Sequence, residues 1–235
     1  GVIVLAIAVA WLLVTRLASS DQDWRALVRG VETNNEHQRW RSAFGLAQLL
    51  QSDASAPAEE QKLVVNPELA GTLGKMFQEE LKQPVKSKDD VDKRVFLAGT
   101  LGLFKTPDVV LPALREGLKD EDKEVRNAAL RSMSGVLGNS MTQGKPVEDP
   151  ATLEVVIGAS GEADPLVRNM ATYTLGLLPL SGTQGRLETL LTDENENVRA
   201  NAAVALVRNK SLLAVPQLKK MLEQGPQLPI ILITL

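Results

Sequence analysis

The chain has 235 residues with a formal net charge of −3, and only 3% of its residues are aromatic. The near balance of charge excludes the basic footprint of a nucleic-acid-binding protein, so no nucleic-acid partner is predicted. The sequence contains no cysteine, which excludes disulfides, thiolate metal sites and a cysteine nucleophile.

The first stretch of the chain is apolar. Residues 1–17 contain one charge, Arg16, and predict a transmembrane helix over residues 1–19 that contacts the lipid bilayer through Val2–Leu17. A helix of this length spans about 25 Å of a hydrocarbon core about 30 Å thick, so we expect the span to be truncated at its N-terminus. Two alternatives remain open, an uncleaved secretory signal peptide with small residues of a cleavage site at 18–20 and a buried core helix.

Basic residues close to this stretch predict its orientation. Arg16, Arg25 and Arg29 follow the span closely, and an excess of Lys and Arg marks the cytoplasmic side of a membrane protein. The sequence therefore predicts a single-pass membrane protein whose remaining domain is cytoplasmic.

Apolar residues at helical spacing predict a succession of helices after this stretch. In chain order, the predicted helices cover residues 23–31, 39–50, 67–82, 89–104, 107–118, 123–137, 150–159, 165–178, 182–191, 196–207 and 212–223. Small and polar residues with proline or glycine predict loops at 52–58 and 138–149. No stretch alternates convincingly as a strand does, although the apolar tail at 226–235 could form a strand, a buried helix end or a partner-binding segment. The domain of paired helices is predicted over residues 20–225.

One short phrase recurs in the second helix of three successive pairs. It reads Val125–Leu130 in its first copy and returns at Val167–Ala171 and Val198–Ala203. Each copy has an Arg in its second position, an acidic residue six positions before that Arg, an Ala three after it and a larger apolar residue seven after it. These residues are Asp120, Arg126, Ala129 and Met133 in the first copy, Glu162, Arg168, Ala171 and Leu175 in the second, and Asp193, Arg199, Ala202 and Leu206 in the third. A phrase that returns about every 30 to 40 residues predicts a stacked array of similar units.

The pattern around the phrase resembles known helical repeats. The copy around Arg126 resembles the HEAT repeat through the pattern Pro112-x-Leu114-x3-Leu118-x-Asp120-x4-Val125-Arg126-x2-Ala129. The shorter pattern Val-Arg-x2-Ala-x3-Leu is more similar to the HEAT-like repeats first noted in phycobilisome lyases. The similarity covers Arg39 to Glu223 and is strongest from Leu111 to Val207. It implies an all-α fold, an α-solenoid of about five HEAT-like helix pairs after the transmembrane helix, in a membrane-anchored HEAT-repeat protein of bacterial type.

The resemblance also assigns roles to the recurring residues. In HEAT families the acid and the Arg form a ladder from one repeat to the next, which implies a stacking role for Asp120 with Arg126. The same holds for Asp193 with Arg199. The Ala must be small because neighbouring helices approach closely there, and Asp164 lies at a helix start as a predicted N-cap. The predicted site residues are thus structural positions of the repeat, namely Asp120, Arg126, Ala129, Asp164, Arg168, Ala171, Asp193, Arg199 and Ala202.

No motif in the sequence marks a catalytic, cofactor-binding or metal site. His37 is the only histidine, and the acidic runs at 120–122 and 193–196 lack the ligand spacing of a calcium loop. The sequence contains neither a phosphate-binding loop nor a Gly-x-Ser-x-Gly motif. We therefore expect no cofactor and no enzymatic activity.

Arrays of this kind mostly bind other proteins, and insertions in them often map to a contact face. The predicted function is a non-catalytic scaffold for protein–protein interactions, an accessory subunit of a membrane protein complex whose partners are the other subunits. The loops at 52–58 and 138–149 are the first candidates for contact with a partner. Two alternatives remain: a HEAT-like lyase or other modifying factor, and a soluble adaptor whose apolar N-terminal helix caps the array.

Overall fold

The computed structural model describes residues 24–223, and every regular element within that range is a helix. These residues fall into two compact units that divide between Ser55 and Ala56. The prediction of an all-α chain is confirmed for this part of the sequence.

The first unit contains one helix pair, α1 (Trp24–Val31) and α2 (Glu36–Ser55), which pack against each other. The second of these helices is longer than predicted, so the loop expected at 52–58 begins only after Ser55. The helix stops just before Pro57 because a residue that precedes proline is disfavoured in the α conformation.

The second unit consists of helix pairs in regular succession. In each pair a first helix packs against a second helix. The pairs are α3 (Pro67–Leu81) with α4 (Lys88–Leu101), α5 (Pro107–Gly117) with α6 (Lys123–Thr142), α7 (Pro150–Ala159) with α8 (Pro165–Leu175), and α9 (Leu180–Leu190) with α10 (Glu196–Arg208). A short 3-10 turn (Leu212–Ala214) then leads to α11 (Val215–Glu223), which packs against α10.

Helices of the same kind stack side by side from one pair to the next. The second helices α4, α6, α8 and α10 pack in that order, and the first helices α3, α5, α7 and α9 do the same. The second unit is therefore an α-solenoid, as the sequence predicts.

The recurring apolar residues supply the core of this solenoid. In each copy of the phrase the Val, the Ala and the larger apolar residue are buried, namely Val125, Ala129, Met133, Val167, Ala171, Leu175, Val198, Ala202 and Leu206. Two glycines allow neighbouring second helices to approach closely. A Cβ atom on Gly102 would lie 2.8 Å from Ser132 Cα, and one on Gly176 would lie 2.7 Å from Ala205 Cβ. At both contacts a larger residue would push the helices apart.

Helix starts in the second unit use ordinary capping chemistry. Asp164, the predicted N-cap of α8, accepts a hydrogen bond from the Leu166 N–H at 2.8 Å. Asp122 caps α6 in the same way, by accepting from the Glu124 N–H at 2.7 Å. Proline stands in the first turn of α3, α5, α7 and α8, where no intrahelical N–H donor is needed.

The helix α6 extends into the predicted insertion loop. The sequence predicts an end at Leu137, but the helix continues to Thr142, which shortens the loop to residues 143–149. Gly144 closes the helix with a φ of 69°, in the left-handed region that suits glycine. The next N–H, that of Lys145, donates to the Ser140 carbonyl at 2.9 Å and so satisfies a carbonyl of the last turn.

The prediction of a single-pass membrane protein is wrong for the part of the chain that the structure describes. Between residues 24 and 223 no helix combines the length and the apolar character that a membrane span requires. The stretch that carried the prediction, residues 1–19, lies outside the described residues, as does the apolar tail at 226–235. The cytoplasmic orientation, the membrane complex and the contact of Val2–Leu17 with lipid all depended on that span and lose their basis with it.

Candidate functional site

A ladder of arginines joins the turns between paired helices. Arg126, in the first turns of α6, donates through Nη1 to the carbonyl oxygens of Asp120 and Glu121, each at 2.9 Å. Its Nε and Nη2 donate to Glu162 Oε2 of the next pair, at 3.1 and 2.9 Å. One guanidinium therefore holds the turn of its own pair and also reaches the acid of the following pair.

Arg168 and Arg199 occupy the equivalent positions on α8 and α10. Arg168 Nη1 donates to the Glu162 carbonyl at 2.9 Å, while its Nε and Nη2 donate to the two carboxylate oxygens of Asp193, both at 3.1 Å. Arg199 Nη1 donates to the carbonyl oxygens of Asp193 and Glu194, at 2.7 and 2.9 Å. The contact of the arginine with the carbonyl oxygens of its own turn thus recurs through three successive pairs.

Each acid of the ladder pairs with the arginine of the preceding helix pair. Arg94 Nη1 on α4 lies 2.7 Å from Asp120 Oδ2, and the side chains of this ion pair are only 4% and 2% exposed. The predicted partners Asp120 and Arg126 do meet, but through the carbonyl oxygen of Asp120, because its carboxylate is bound by Arg94. Asp193 meets Arg199 in the same way, through its carbonyl oxygen.

The contact between Arg168 and Asp193 favours the charged form of both side chains. Partial burial raises the pKa of Asp193, but the hydrogen bonds from Arg168 and the Asn195 N–H, with the charge of Arg168, lower that pKa below its ordinary value of 3.8. The hydrogen bond to Asp193 in turn raises the pKa of Arg168. The Leu166 N–H lowers the pKa of Asp164. Within residues 24–223 no three His, Asp or Glu side chains are grouped as metal ligands would be.

The ladder side chains are occupied by hydrogen bonds within and between helix pairs. The surface available to a binding partner therefore lies beside the ladder. We call the exposed sides of the packed second helices α4, α6, α8 and α10 the open face. Four positions of each second helix fall on one side of that helix. They are the residue two before the ladder Arg and the residues one, two and five after it. Those that are exposed or half-buried are Asp92, Val95, Phe96, Gly99, Glu124, Asn127, Arg131, Leu166, Asn169, Met170, Tyr173, Asn197, Ala200 and Asn201.

Three asparagines form a row across the open face. Asn127 and Asn169 directly follow the ladder Arg on α6 and α8, and Asn201 comes one position later on α10. Asn201 Nδ2 donates to Asn169 Oδ1 at 2.8 Å, which among the described residues leaves the Asn169 amide nitrogen and the Asn201 amide oxygen available. Asn127 Oδ1 is shielded from water and accepts no hydrogen bond from the described residues. The pair of Asn169 and Asn201 therefore offers one amide nitrogen as a donor and one amide oxygen as an acceptor to a bound chain.

Large apolar side chains are exposed on the same face, on α8. Leu166 is 66% exposed and Tyr173 is 36% exposed, and the two residues lie two helical turns apart with Met170 between them. No large apolar side chain is exposed to this degree on the first helices α3, α5, α7 and α9. Those helices present charged groups such as Lys75 and Glu154 to solvent. The open face is thus chemically distinct, with the exposed apolar groups that mark binding surfaces.

The insertion loop at 143–149 borders a cavity of about 310 Å³ beside the first helices α7 and α9. Its apolar lining includes Val147, Leu153 and Leu178. The carboxylate of Asp149 on its rim is bound by Arg115. Because this bond ties the loop to α5, the predicted contact loop has a structural role in the stack.

The stacked pairs and the arginine ladder define an α-helical repeat protein. Residues 152–229 match the family model for HEAT repeats. This part of the chain is accordingly similar to HEAT repeats, and the comparison with curated proteins found no sequence match.

Two solved structures share the fold. A designed armadillo repeat protein in complex with the peptide (KR)4 is similar at 15% identity, with a TM-score of 0.54 over 89% of this chain and 95% of that one. An engineered protein is similar at 19% identity, with a TM-score of 0.53 over 87% of this chain and 90% of that one. At these identities the likeness concerns the fold alone.

Proposed function

We propose that the chain is a non-catalytic scaffold, an accessory subunit of a protein complex, that binds an extended segment of a partner along the open face. The observation that carries this proposal is the row of asparagines on a face that also exposes Leu166 and Tyr173. An extended segment leaves backbone N–H and C=O groups unpaired, and the Asn169 amide nitrogen and the Asn201 amide oxygen can pair with them. Leu166 and Tyr173 supply apolar contact of the kind that dominates binding energy.

The dimensions of the open face suit a short segment. The axes of packed helices lie about 9 Å apart, so four second helices side by side cover about 27 Å. An extended chain rises about 3.3 Å per residue, so a segment of about eight residues crosses all four helices. A loop or a terminus of a partner protein can supply a segment of that length.

Two further observations support the proposal that the chain binds a peptide and does not catalyse a reaction on it. The similar designed armadillo repeat protein was solved with a peptide, (KR)4. The row at the centre of the open face consists of asparagine amides, which are neither general acids, general bases nor nucleophiles.

The proposal is tested by selecting binders to the purified chain from a displayed library of random peptides about eight residues long. Each selected peptide is then measured against the variant Asn169→Ala/Tyr173→Ser. The matched control is Glu154→Gln/Gln184→Ala, which changes two exposed positions on the first helices α7 and α9. We expect the open-face variant to lose about tenfold or more in affinity and the control to keep the affinity of the parent.

Circular dichroism of both variants checks that the helices are intact before affinities are compared. Selected peptides that bind both variants equally would place the interaction on another surface and overturn the proposal. A selection that yields no binder that depends on the open face would do the same.

A further inference from the structure

We infer that the partner segment is cationic where it crosses α8 and α10, and that it carries a large apolar side chain that seats on Leu166 and Tyr173. This inference rests on the proposed function and adds the chemistry of the partner to it. The connectors that border the open face change in charge from one end of the stack to the other, and this change indicates the charge of the partner.

Each second helix is preceded by a connector that runs from the end of its first helix to its ladder arginine, and these connectors form one edge of the open face. The connector 82–94 carries five Lys or Arg and three Asp, a net charge of +2. The connectors 118–126 and 160–168 each have a net charge of −1, and the connector 191–199 has a net charge of −2. This edge therefore changes from cationic at α4 to anionic at α10.

Leu166 lies in the connector 160–168, next to the most anionic connector, 191–199. It stands in the first turn of α8, two residues before Arg168, which joins this turn to the next one through Asp193 and Glu194. The Glu194 side chain is 86% exposed, and Glu196 is also exposed. The most exposed apolar side chain of the open face is thus bordered by exposed carboxylates.

The chain supplies its own lysines at α4 and α6 but not at α10. Lys88 Nζ lies 3.8 Å from Glu124 Oε2, and Lys123 Nζ lies 3.7 Å from Asp164 Oδ2. The connector 191–199 contains no lysine. A Lys or Arg of the partner would provide at α10 the positive charge that Lys88 and Lys123 provide at the earlier turns.

Beyond the connectors, the second helices carry two further cations, Arg131 and Arg208, and both lie away from this edge. Arg131 comes five residues after its ladder arginine and Arg208 comes nine residues after its own, which places them about 8 and 13 Å further along their helices. A segment that passes over Leu166 therefore meets carboxylates before it meets either arginine. An acidic segment would be repelled there, and an uncharged segment would gain nothing from the edge.

The test uses three synthetic, fluorescently labelled peptides of about eight residues. The first has a central Leu flanked by Lys, the second replaces each Lys with Glu, and the third replaces the Leu with Ser. Binding is measured by fluorescence anisotropy to the parent chain and to Glu194→Gln/Glu196→Gln. The control, Asp108→Asn/Glu154→Gln, removes the same charge from exposed positions on the first helices.

We expect the Lys–Leu peptide to bind best and to lose about fivefold in affinity with Glu194→Gln/Glu196→Gln, since each exposed pair contributes modestly. The control should leave its affinity unchanged, and added salt should weaken binding to the parent chain. Equal binding of the Lys and Glu peptides, or equal losses in the two double variants, would overturn the inference and leave the open face as a peptide site.

If none of the three synthetic peptides binds, the composition of the peptides selected from the random library tests the inference instead. Binders that depend on the open face and are enriched in Lys or Arg beside an apolar residue support the inference. If the binders that depend on the open face lack this enrichment, the inference is overturned and the proposed function stands. A selection without any binder that depends on the open face overturns the proposed function and the inference together.

Discussion

The guanidinium of Arg168 holds both carboxylate oxygens of Asp193, 25 residues later in the chain, through two hydrogen bonds of 3.1 Å. The two side chains are only 8% and 13% exposed. Bringing two charges out of water costs free energy that is recovered only when both are well satisfied, so the pair favours one relative position of α8 and α10 over others. The ladder therefore specifies how neighbouring pairs stack, more than it adds to stability.

Removing one member of this pair should be costly. Arg168→Met leaves the Asp193 carboxylate and the Glu162 carbonyl without their donor, and we expect the free energy of unfolding to fall by about 3 kcal/mol. The control is Lys119→Met, which breaks the ion pair of Lys119 with Glu116, whose side chains are 62% and 48% exposed. Urea denaturation should show a loss of about 0–1 kcal/mol for the control. Comparable losses in the two variants would contradict the stacking role of the ladder.

The same pair predicts a dependence of stability on pH. Burial raises the pKa of Asp193, but Arg168 and the Asn195 N–H together lower it below 3.8 in the folded chain. A carboxyl group with a lowered pKa stabilises the fold above its unfolded pKa, and this contribution is lost as pH falls through the folded value. Asp193→Asn should therefore be destabilising at about pH 7, and its difference from the parent should shrink below about pH 4. Urea midpoints measured across that range check this, and a difference that stays constant would refute it.

The alanines of the phrase should not tolerate a larger residue. Ala129 and Ala171 are completely buried between helices, so Ala129→Leu and Ala171→Leu should each lower the free energy of unfolding by about 1–3 kcal/mol through overpacking. Ala151→Leu is the matched control, since Ala151 is exposed on α7. Thermal melting of the three variants makes the comparison. Melting unchanged in both buried variants would count against the helix register.

The sequence predicts the solenoid because its recurring residues are those that the core needs. Val125, Ala129 and Met133 are buried regardless of what the protein binds, so their spacing reports the fold directly. The pairing within the ladder is harder to predict, because the phrase shows the spacing of an acid and an arginine but not which neighbouring arginine reaches the acid. The sequence predicts ends of α4 and α8 that are three residues too late, because both helices stop just before the glycines of the close contacts, Gly102 and Gly176.

The open face is not among the binding surfaces that are predicted from the sequence above. Asn127, Asn169 and Asn201 stand inside the recurring phrase, and their repetition was the available signal, since asparagine is not a favoured residue in helix interiors. That the three amides form one row follows from the packing of second helices side by side. The exposure of Leu166 likewise depends on which side of α8 faces its neighbours, which the helical period alone leaves open.

Two glycines, Gly138 inside α6 and Gly176 directly after α8, should change stability in opposite directions when replaced by alanine. A Cβ atom at Gly176 would lie 2.7 Å from Ala205 Cβ, so Gly176→Ala should destabilise the fold by about 1–3 kcal/mol. Gly138 lies inside α6 with no atom within 4 Å of an added Cβ, so Gly138→Ala should stabilise the fold by about 0.5–1 kcal/mol through helix propensity. Urea denaturation measures both. Changes of the same sign would show that the contact at Gly176 does not limit the spacing of α8 and α10.

The exposed apolar residues of α8 should contribute to binding and not to folding. Leu166→Ser should change the free energy of unfolding by no more than about 0.5 kcal/mol, because Leu166 is 66% exposed. Leu175→Ser, on the buried side of the same helix, should cost about 3 kcal/mol or more. Urea denaturation separates the two, and a large loss with Leu166→Ser would mean that this leucine packs within the fold. If Leu166→Ser keeps the parent stability and loses the selected peptides, then the inner side of α8 carries the fold and its outer side carries the partner.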